Sequence, residues 1–437
     1  MEELRAGVMV CPWCDFHFPW EASLRQEWLV DEGSFEMLSD LPPSPNQVGR
    51  ATLAGQPVAV VVTDHTCGWS TEDARALVRI AETAFLERRP LLWVLSAPQG
   101  GPDAAGLWAC WAAFSRLAER KVPRIVLIAG ACFGPLAALA LQADLLFAEP
   151  GAVLGPLLPE ALRQAGRLPP ECAEPPRRLL RAGWADVVVG RREQRAVLAM
   201  ALDLLGSGGR RASLPLPGGQ RGLLWNLPAP LGGSFGPVLE IHGDRGSADP
   251  PSLRAGIARL RKDGPTVLLL GAALGNRSLF SSGRHRAIGV AGWRKAARLV
   301  RFASRFDLPV IGLVGAAILR PDSHEGPGAL AGALGDFQGA WYGSEVPTVT
   351  VFLRRPDSLA VQAFEGADRL FVAAEAAEGM AADAVFEDEE ALSALLAEGV
   401  EELVQTYLLS GPLGRRKLLQ RRAARLLRAL PQGTTSA

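Results

Sequence analysis

Two distant stretches of this chain repeat one arrangement of apolar and polar positions. In the first, Val122-Pro123 leads into the apolar run Ile125-Val126-Leu127, and Ala143-Asp144 leads into Leu145-Leu146-Phe147-Ala148. In the second, Val346-Pro347 leads into Thr348-Val349-Thr350-Val351, and Ala367-Asp368 leads into Arg369-Leu370-Phe371-Val372. The proline precedes the aspartate by the same 21 residues in both, with a helical segment of small residues between. Short apolar runs bounded by such residues read as buried strands, and equal spacing at this distance points to an internal duplication. Each copy has an earlier strand after a proline, Pro90 to Leu95 and Pro309 to Val314, followed by a glycine-containing loop and a helix. The order strand-helix-strand-helix-strand therefore occurs twice. From Ala51 onward the pattern alternates strands, such as Val58 to Val62, with helices, such as Glu72 to Phe85, as layered α/β domains do.

A chain of 437 residues suits two such domains. The expected division is a small module over 1–45, a first α/β domain over 46–205, a linker over 206–235 and a second α/β domain over 236–437. The module holds Cys11-Pro12-Trp13-Cys14, an amphipathic stretch from Glu21 to Leu29 and Asp31-Glu32-Gly33-Ser34, and Pro42-Pro43-Ser44-Pro45-Asn46 closes it. Around Gly206-Ser207-Gly208-Gly209 the composition turns to glycine, proline and arginine, as a linker's does.

Composition changes the picture only at its edges. Apolar residues make up 48% and charged residues 21%, as in a well-buried globular protein. The net charge is zero, which disfavours a generally basic nucleic-acid binder. The run Arg415-Arg416-Lys417 with Arg421, Arg422 and Arg425 reads as the solvated face of a C-terminal helix rather than a nucleic-acid contact. Met1 to Arg5 lacks the layout of a secretory signal, so a cytoplasmic location is expected. The apolar run Ile125 to Leu141 is too short for a membrane span and is broken by Gly134-Pro135. Six cysteines over this length do not make a disulfide framework.

The turn Gly130-Ala131-Cys132-Phe133-Gly134-Pro135 leaves a buried strand and enters a helix from Leu136 to Gln142. Pro135 suits a first helical position, and the N–H groups of Phe133 and Gly134 just before it are candidate donors to an oxyanion such as a thioester enolate. A close-packed turn with no ligand explains the same residues.

Other pieces resemble a known family. Residues 10 to 195 resemble the β subunit of bacterial acetyl-CoA carboxylase carboxyltransferase through Val10-Cys11-Pro12-Trp13-Cys14-Asp15, Asp31-Glu32-Gly33-Ser34, Ala148-Glu149-Pro150 with Gly155-Pro156, Gly183-Trp184-Ala185-Asp186 and Arg191-Arg192-Glu193. Residues 239 to 428 resemble its α subunit through Ile241-His242-Gly243-Asp244-Arg245, Gly256-Ile257-Ala258-Arg259-Leu260 and Gly292-Trp293-Arg294-Lys295-Ala296-Ala297-Arg298-Leu299. The resemblance implies two crotonase-type (ClpP/crotonase) spiral domains in tandem behind a zinc-ribbon remnant. It implies transfer of a carboxyl group from biotin on a separate carrier protein to acetyl-CoA, giving malonyl-CoA for fatty-acid synthesis. The implied partners are a biotin carboxyl carrier protein, a biotin carboxylase and further copies of this chain. No side-chain base is required, because the biotin ureido nitrogen takes the proton and backbone N–H pairs hold both anions.

The resemblance also assigns sites. Asp64-His65-Thr66-Cys67-Gly68-Trp69, Gly100, Gly101, Arg284, His285 and Arg286 would bind CoA. Cys11 and Cys14 correspond to the second of the family's two CxxC pairs, so the zinc site is incomplete. His17 reads as a solvated or core histidine rather than a third ligand. Phe133-Gly134 stands where the β family has Gly-Gly. Arg354-Arg355-Pro356-Asp357-Ser358 replaces the α family's glycine-rich turn, and Pro356 has no N–H to donate. Val314-Gly315-Ala316-Ala317-Ile318-Leu319 replaces its Asp-Thr-Pro-Gly-Ala-Tyr loop. Besides an active carboxyltransferase, these departures suit a catalytically degraded paralogue that binds acyl-CoA or associates with carboxyltransferase subunits, or a biotin-independent acyl-CoA decarboxylase.

Overall fold

The computed structural model describes residues 8–39, 41–66, 69–97, 104–155, 179–180, 182–206, 224–225, 227, 231–246, 250, 252–261, 264–272, 288–315 and 326–429. The chain divides into two compact units, Met1–Leu223 and Leu224–Ala437.

Unit 1 contains α1 (Ala22–Leu29), β1 (Glu36–Met37), β2 (Gln47–Leu53), β3 (Gln56–Val62), α2 (Thr71–Glu87), β4 (Leu91–Ala97), α3 (Ala104–Glu119), β5 (Arg124–Phe133), α4 (Pro135–Ala140), β6 (Leu145–Ala148), β7 (Val153–Gly155), β8 (Val187–Val188) and α5 (Arg191–Leu205). Its sheet runs β1-β2-β3-β4-β5-β6-β8, with β7 beside the end of β5. The β1/β2 and β2/β3 pairs are antiparallel, and every later pair is parallel.

Unit 2 contains β9 (Leu239–Glu240), β10 (Leu253–Arg259), β11 (Thr266–Ala272), α6 (Val290–Arg305), β12 (Val310–Val314), α7 (Gly326–Tyr342), β13 (Thr348–Phe352), α8 (Ser358–Phe364), β14 (Arg369–Ala373), β15 (Ala384–Phe386), α9 (Glu389–Leu403) and α10 (Gly411–Ala429). Its sheet order, β9-β10-β11-β12-β13-β14-β15, repeats that of unit 1 strand for strand, again with two antiparallel pairs before the parallel ones.

The duplicated spacing expected from the sequence therefore falls on equivalent strands. Ile125 of β5 pairs with Leu145 of β6, and Val349 of β13 pairs with Arg369 of β14. The recurrent aspartate acts as a staple. Asp144 accepts from the Arg124 N–H at 2.8 Å and returns its own N–H to the Arg124 carbonyl at 2.8 Å; Asp368 does the same with Thr348 at 2.8 and 2.9 Å. A strand that must begin next to its neighbour is thus paired by a side chain before the ladder starts.

Local signals explain the helices. Ser70 and Asp73 form a reciprocal capping box at the start of α2, and Ala74, Leu77, Ile80, Ala81 and Ala84 at helical spacing bury its inner face. Trp293 on α6, Phe337 and Trp341 on α7 and Phe364 on α8 form one aromatic cluster, with ring centroids 5.0 to 6.0 Å apart. Gly312 of β12 lies beneath it, since a Cβ there would meet Phe364 and Trp341 at 3.4 Å.

Two expectations need correction. Leu224 and Trp225, placed in the linker, belong to unit 2: Leu224 bridges Leu239, the Trp225 N–H donates to the Val238 carbonyl at 3.0 Å, and the indole is buried. The basic C-terminal helix is not simply a solvated face. Arg422 is buried against Asp368, and Arg415, Arg421 and Arg425 reach Asp307, Tyr407 and Asp383, leaving Arg416 and Lys417 exposed. Burial of a long cationic side chain needs such partners, which no local pattern announces.

Candidate active site

A cavity of about 540 Å³ opens in unit 1 where the parallel strands end. Its walls come from Thr63 after β3, Ser96 of β4, Ala129 to Ala131 of β5, Glu149 to Ala152 between β6 and β7, and the segment Cys14 to Trp20, with His65 and Arg25 also lining it. Carboxyl ends of parallel strands are where α/β sheets place ligands, because the connecting loops diverge there.

The N-terminal segment is folded onto this edge. Residues 8–18 make a knuckle with a Val10–His17 bridge, a Cys11 N–H bond to the Phe16 carbonyl at 2.8 Å and an Asp15 N–H bond to the Cys11 carbonyl at 3.1 Å. Arg191, at the start of α5, donates through Nη1 to the carbonyls of Val8 (3.2 Å), Met9 (3.2 Å) and Phe18 (2.9 Å). Its other nitrogens grip Glu149, with Nε at 3.1 Å from Oε1 and Nη2 at 2.6 Å from Oε2. Glu149 also accepts from Arg25, from Gln194 at 2.9 Å, and bonds His17 Nδ1 at 3.1 Å. Both guanidinium groups stack on Trp20, their centres 5.8 and 5.4 Å from the ring. Burial would raise the Glu149 pKa, but the Arg25 charge, the His17 hydrogen bond and Arg191 outweigh it and hold the carboxyl well below its ordinary range. Arg25, in turn, is lowered by burial against the opposing pull of Glu149. Two buried cations thus share one carboxylate, and of the two it is Arg25 that lines the cavity.

The zinc implied by the resemblance does not fit these residues. Cys11 and Cys14 lie in the knuckle, but His17 is spent on Glu149, and among the described residues no group of three or more His, Cys, Asp or Glu is placed to hold a metal ion. The backbone N–H groups of Trp13 and Cys14 lower the Cys11 thiol pKa.

The expected oxyanion turn needs a correction at one residue. Gly134 caps α4 with φ +66° and ψ −142°, and Pro135 takes the first helical turn as expected. Its N–H, however, donates to the Gly155 carbonyl of β7 at 3.0 Å, so that donor is already used. Phe133 ends β5 opposite Gly155 and is buried. The cavity lies on Gly130 and Ala131, three residues earlier, where a Cβ on Gly130 would meet Ser96 Oγ at 2.5 Å. Gly100, Gly101, Arg284, His285 and Arg286 lie outside the described residues, as do Cys67, Gly68 and Ala316 to Leu319.

The equivalent turn of unit 2 contains a feature the sequence reading passed over. Pro356 is followed by Asp357, which caps α8 by accepting the Ala360 N–H at 2.7 Å. A carboxylate of the chain itself occupies that helix start. Arg25 and Glu149 were likewise not singled out for chemistry, and their partners lie 124 residues apart in sequence.

Residues 234–351 match a family model described as acetyl co-enzyme A carboxylase carboxyltransferase-like. The carboxyl transferase subunits beta/alpha of Salinispora arenicola are 32% identical over 378 residues, covering 72% of this chain and 66% of that protein. The carboxyl transferase subunit beta of Pelotomaculum thermopropionicum is 30% identical over 238 residues, 46% of this chain and 84% of that protein. Among solved structures, transcarboxylase 12S with methylmalonyl-coenzyme A bound superposes with TM-score 0.60 at 16% identity, covering 96% of this chain and 92% of that one. A single-chain, multi-domain long-chain acyl-CoA carboxylase gives TM-score 0.59 at 20% identity, over 87% of this chain and 44% of that one. The chain thus spans about two thirds of the length of the fused relatives it matches. These likenesses establish the crotonase-type fold, and with the order of matching segments they lead to one conclusion: the chain belongs to the acetyl-CoA carboxylase carboxyltransferase family.

Proposed function

We propose that this protein is an acyl-CoA carboxyltransferase whose unit 1 cavity takes the acyl thioester, with acetyl-CoA as substrate and malonyl-CoA as product. The observation that carries the reading is the cavity itself, set on the bare backbone of Gly130 and beside the Arg25–Glu149 pair. Bound there, a thioester meets Thr63 and Ser96 on one side and the Glu149–Arg25 pair on the other. Arg25 draws negative charge toward that wall, while Trp20 and the knuckle exclude water. Biotin, presented by a carrier protein and charged by a biotin carboxylase, would supply the carboxyl group; further copies of the chain would complete the assembly, in the cytoplasm.

A second reading is favoured by Asp357. A carboxylate and a proline at the start of α8 oppose an anion there, which suits a member that retains acyl-CoA binding but transfers from biotin poorly. One assay separates the two: carboxylated carrier protein and acetyl-CoA are supplied and malonyl-CoA is measured, alongside calorimetric binding of acetyl-CoA. Turnover near about 10 per second, ordinary for an enzyme, supports full activity. Binding with turnover at least about a hundredfold lower supports the second reading, since one lost oxyanion donor has about that effect. Absence of acyl-CoA binding would refute both.

A further inference from the structure

We propose that His65 carries a proton to and from the α-carbon of a CoA thioester held in the unit 1 cavity, an activity that needs no biotin; the inference rests on the reading of that cavity as the acyl-CoA site. Among the described residues, six titratable or charged side chains line the cavity: Cys14, Asp15, His17, Arg25, His65 and Glu149. Glu149 is ionised and shared among Arg25, Arg191, Gln194 and His17, so neither it, Arg25 nor His17 is at liberty to move a proton to a ligand. Asp15 is largely exposed and reaches Arg192, and Cys14 is exposed. His65 differs from all of these. It follows the end of β3 by three residues and is half-buried, and its buried Nδ1 has no hydrogen-bond partner among the described residues.

The residue beside it explains how the ring is set. Asp64 is buried and fixed by the Ala22 N–H at 2.9 Å and by the Thr66 N–H and hydroxyl at 2.9 and 2.5 Å. Its Oδ1 lies 3.8 Å from His65 Nδ1, too far to accept a proton from the ring in a hydrogen bond. The ring thus lines the cavity with its Nδ1 left out of the bonds that fix Asp64.

The chemistry balances with water alone. With an acetyl thioester, the α-carbon's C–H bond breaks, the proton goes to an imidazole nitrogen and the electron pair enters the enolate; the reverse step restores the thioester. With a malonyl thioester, the bond to the carboxylate breaks, carbon dioxide leaves, and the enolate takes the imidazolium proton at the α-carbon. Water then reprotonates the ring, so one proton is consumed for each carbon dioxide released.

The test uses the full chain with acetyl-CoA in deuterated water, following loss of the acetyl methyl proton signal by NMR, with affinity measured by calorimetry. The expected result is enzyme-dependent exchange that, with each protein saturated with acetyl-CoA, falls about a hundredfold or more in His65→Gln, the ordinary scale of acid–base catalysis. Exchange lost in His65→Gly and restored by added imidazole would support proton transfer by the ring itself, which a merely structural role would not produce. Exchange no faster than in buffer despite measurable binding, or equal exchange in His65→Gln, would overturn the proposal and leave the acyl-CoA reading standing. No binding of acetyl-CoA at all would remove that reading and this proposal together.

Discussion

The turn after β5 and the turn after β13 stand at the same place in two sheets of the same order, and they finish differently. In unit 1 the cap of the following helix is Gly134, with no side-chain bond to the helix start. In unit 2 the cap is Asp357, whose carboxylate already accepts the Ala360 N–H. Just behind the turns the two units agree. Asp144 and Asp368 staple equivalent strands by the same pair of bonds, but the cation that neutralises each comes from a different place. Arg124 sits within the stapled strand, 3.0 Å from Asp144, whereas Arg422 comes from the C-terminal helix, 2.6 Å from Asp368. Strand pairing tolerates only one arrangement of the backbone, so the staple recurs. A charge can be balanced from any direction, and a helix start can face a ligand or close on itself.

The largest expected effect tests the two staples. Arg422 is almost fully buried and also donates to the carbonyls of Trp341, Tyr342, Ser344 and Val346. Arg422→Ala leaves Asp368 charged and buried without the cation that pairs with it, which should cost about 3–5 kcal/mol in urea denaturation. Arg124→Ala, at a partly exposed site, should cost about 1–2 kcal/mol. Equal losses would show that the source of the cation does not matter.

Acid should weaken unit 1 through its buried carboxylates. The Glu149 pKa is depressed in the fold, so its contribution to stability is fully present above the ordinary value of 4.5 and is lost as pH falls from there toward the folded value. Asp31 and Asp64, also lowered because their hydrogen bonds outweigh burial, lose their contributions in the same direction below their ordinary 3.8. Melting curves below pH 5 should therefore fall less steeply for Glu149→Gln than for the parent, though from a lower starting stability; parallel curves would contradict the assignment.

The unit 2 turn can be pushed toward its unit 1 counterpart. The double variant Pro356→Gly with Asp357→Gly restores an N–H and removes a carboxylate, and should raise biotin-dependent malonyl-CoA formation by roughly tenfold to a hundredfold. Losing the aspartate cap should cost only a few tenths of a kcal/mol, because glycine itself caps well. Unchanged formation would show that this turn does not limit transfer.

A further effect concerns Gly134. A Cβ there meets nothing within 4 Å, so crowding is not the obstacle; the backbone at φ +66° and ψ −142° is. Gly134→Ala should cost about 1–3 kcal/mol in stability from that strain. A loss below about 0.5 kcal/mol would mean that the turn relaxes.

The duplicated layout was legible because proline, strand and aspartate keep a fixed spacing, and the strands fell where the spacing put them. The closing of the Gly134 donor was not, because its acceptor lies on β7, a strand of three residues with no length or periodicity of its own. Asp357 was legible in principle: an aspartate one residue before a helix is the ordinary cap signal, but the neighbouring proline drew the inference. The Glu149 cluster gathers residues from positions 17 to 194 through folding alone, so no local pattern could place Arg25 in it. His17, expected to be either a solvated or a core histidine, has its side chain buried against Glu149, a partner that no local pattern names.

Arg191 holds the knuckle by three of its carbonyls, and a backbone carbonyl is present whatever the side chain. The grip is therefore blind to what Val8, Met9 and Phe18 are, and side chains around Cys11-Pro12-Trp13-Cys14 are released from the task of keeping that corner folded. Evolution is free to rewrite the surface of this knuckle, which forms one wall of the cavity, without first solving its folding again.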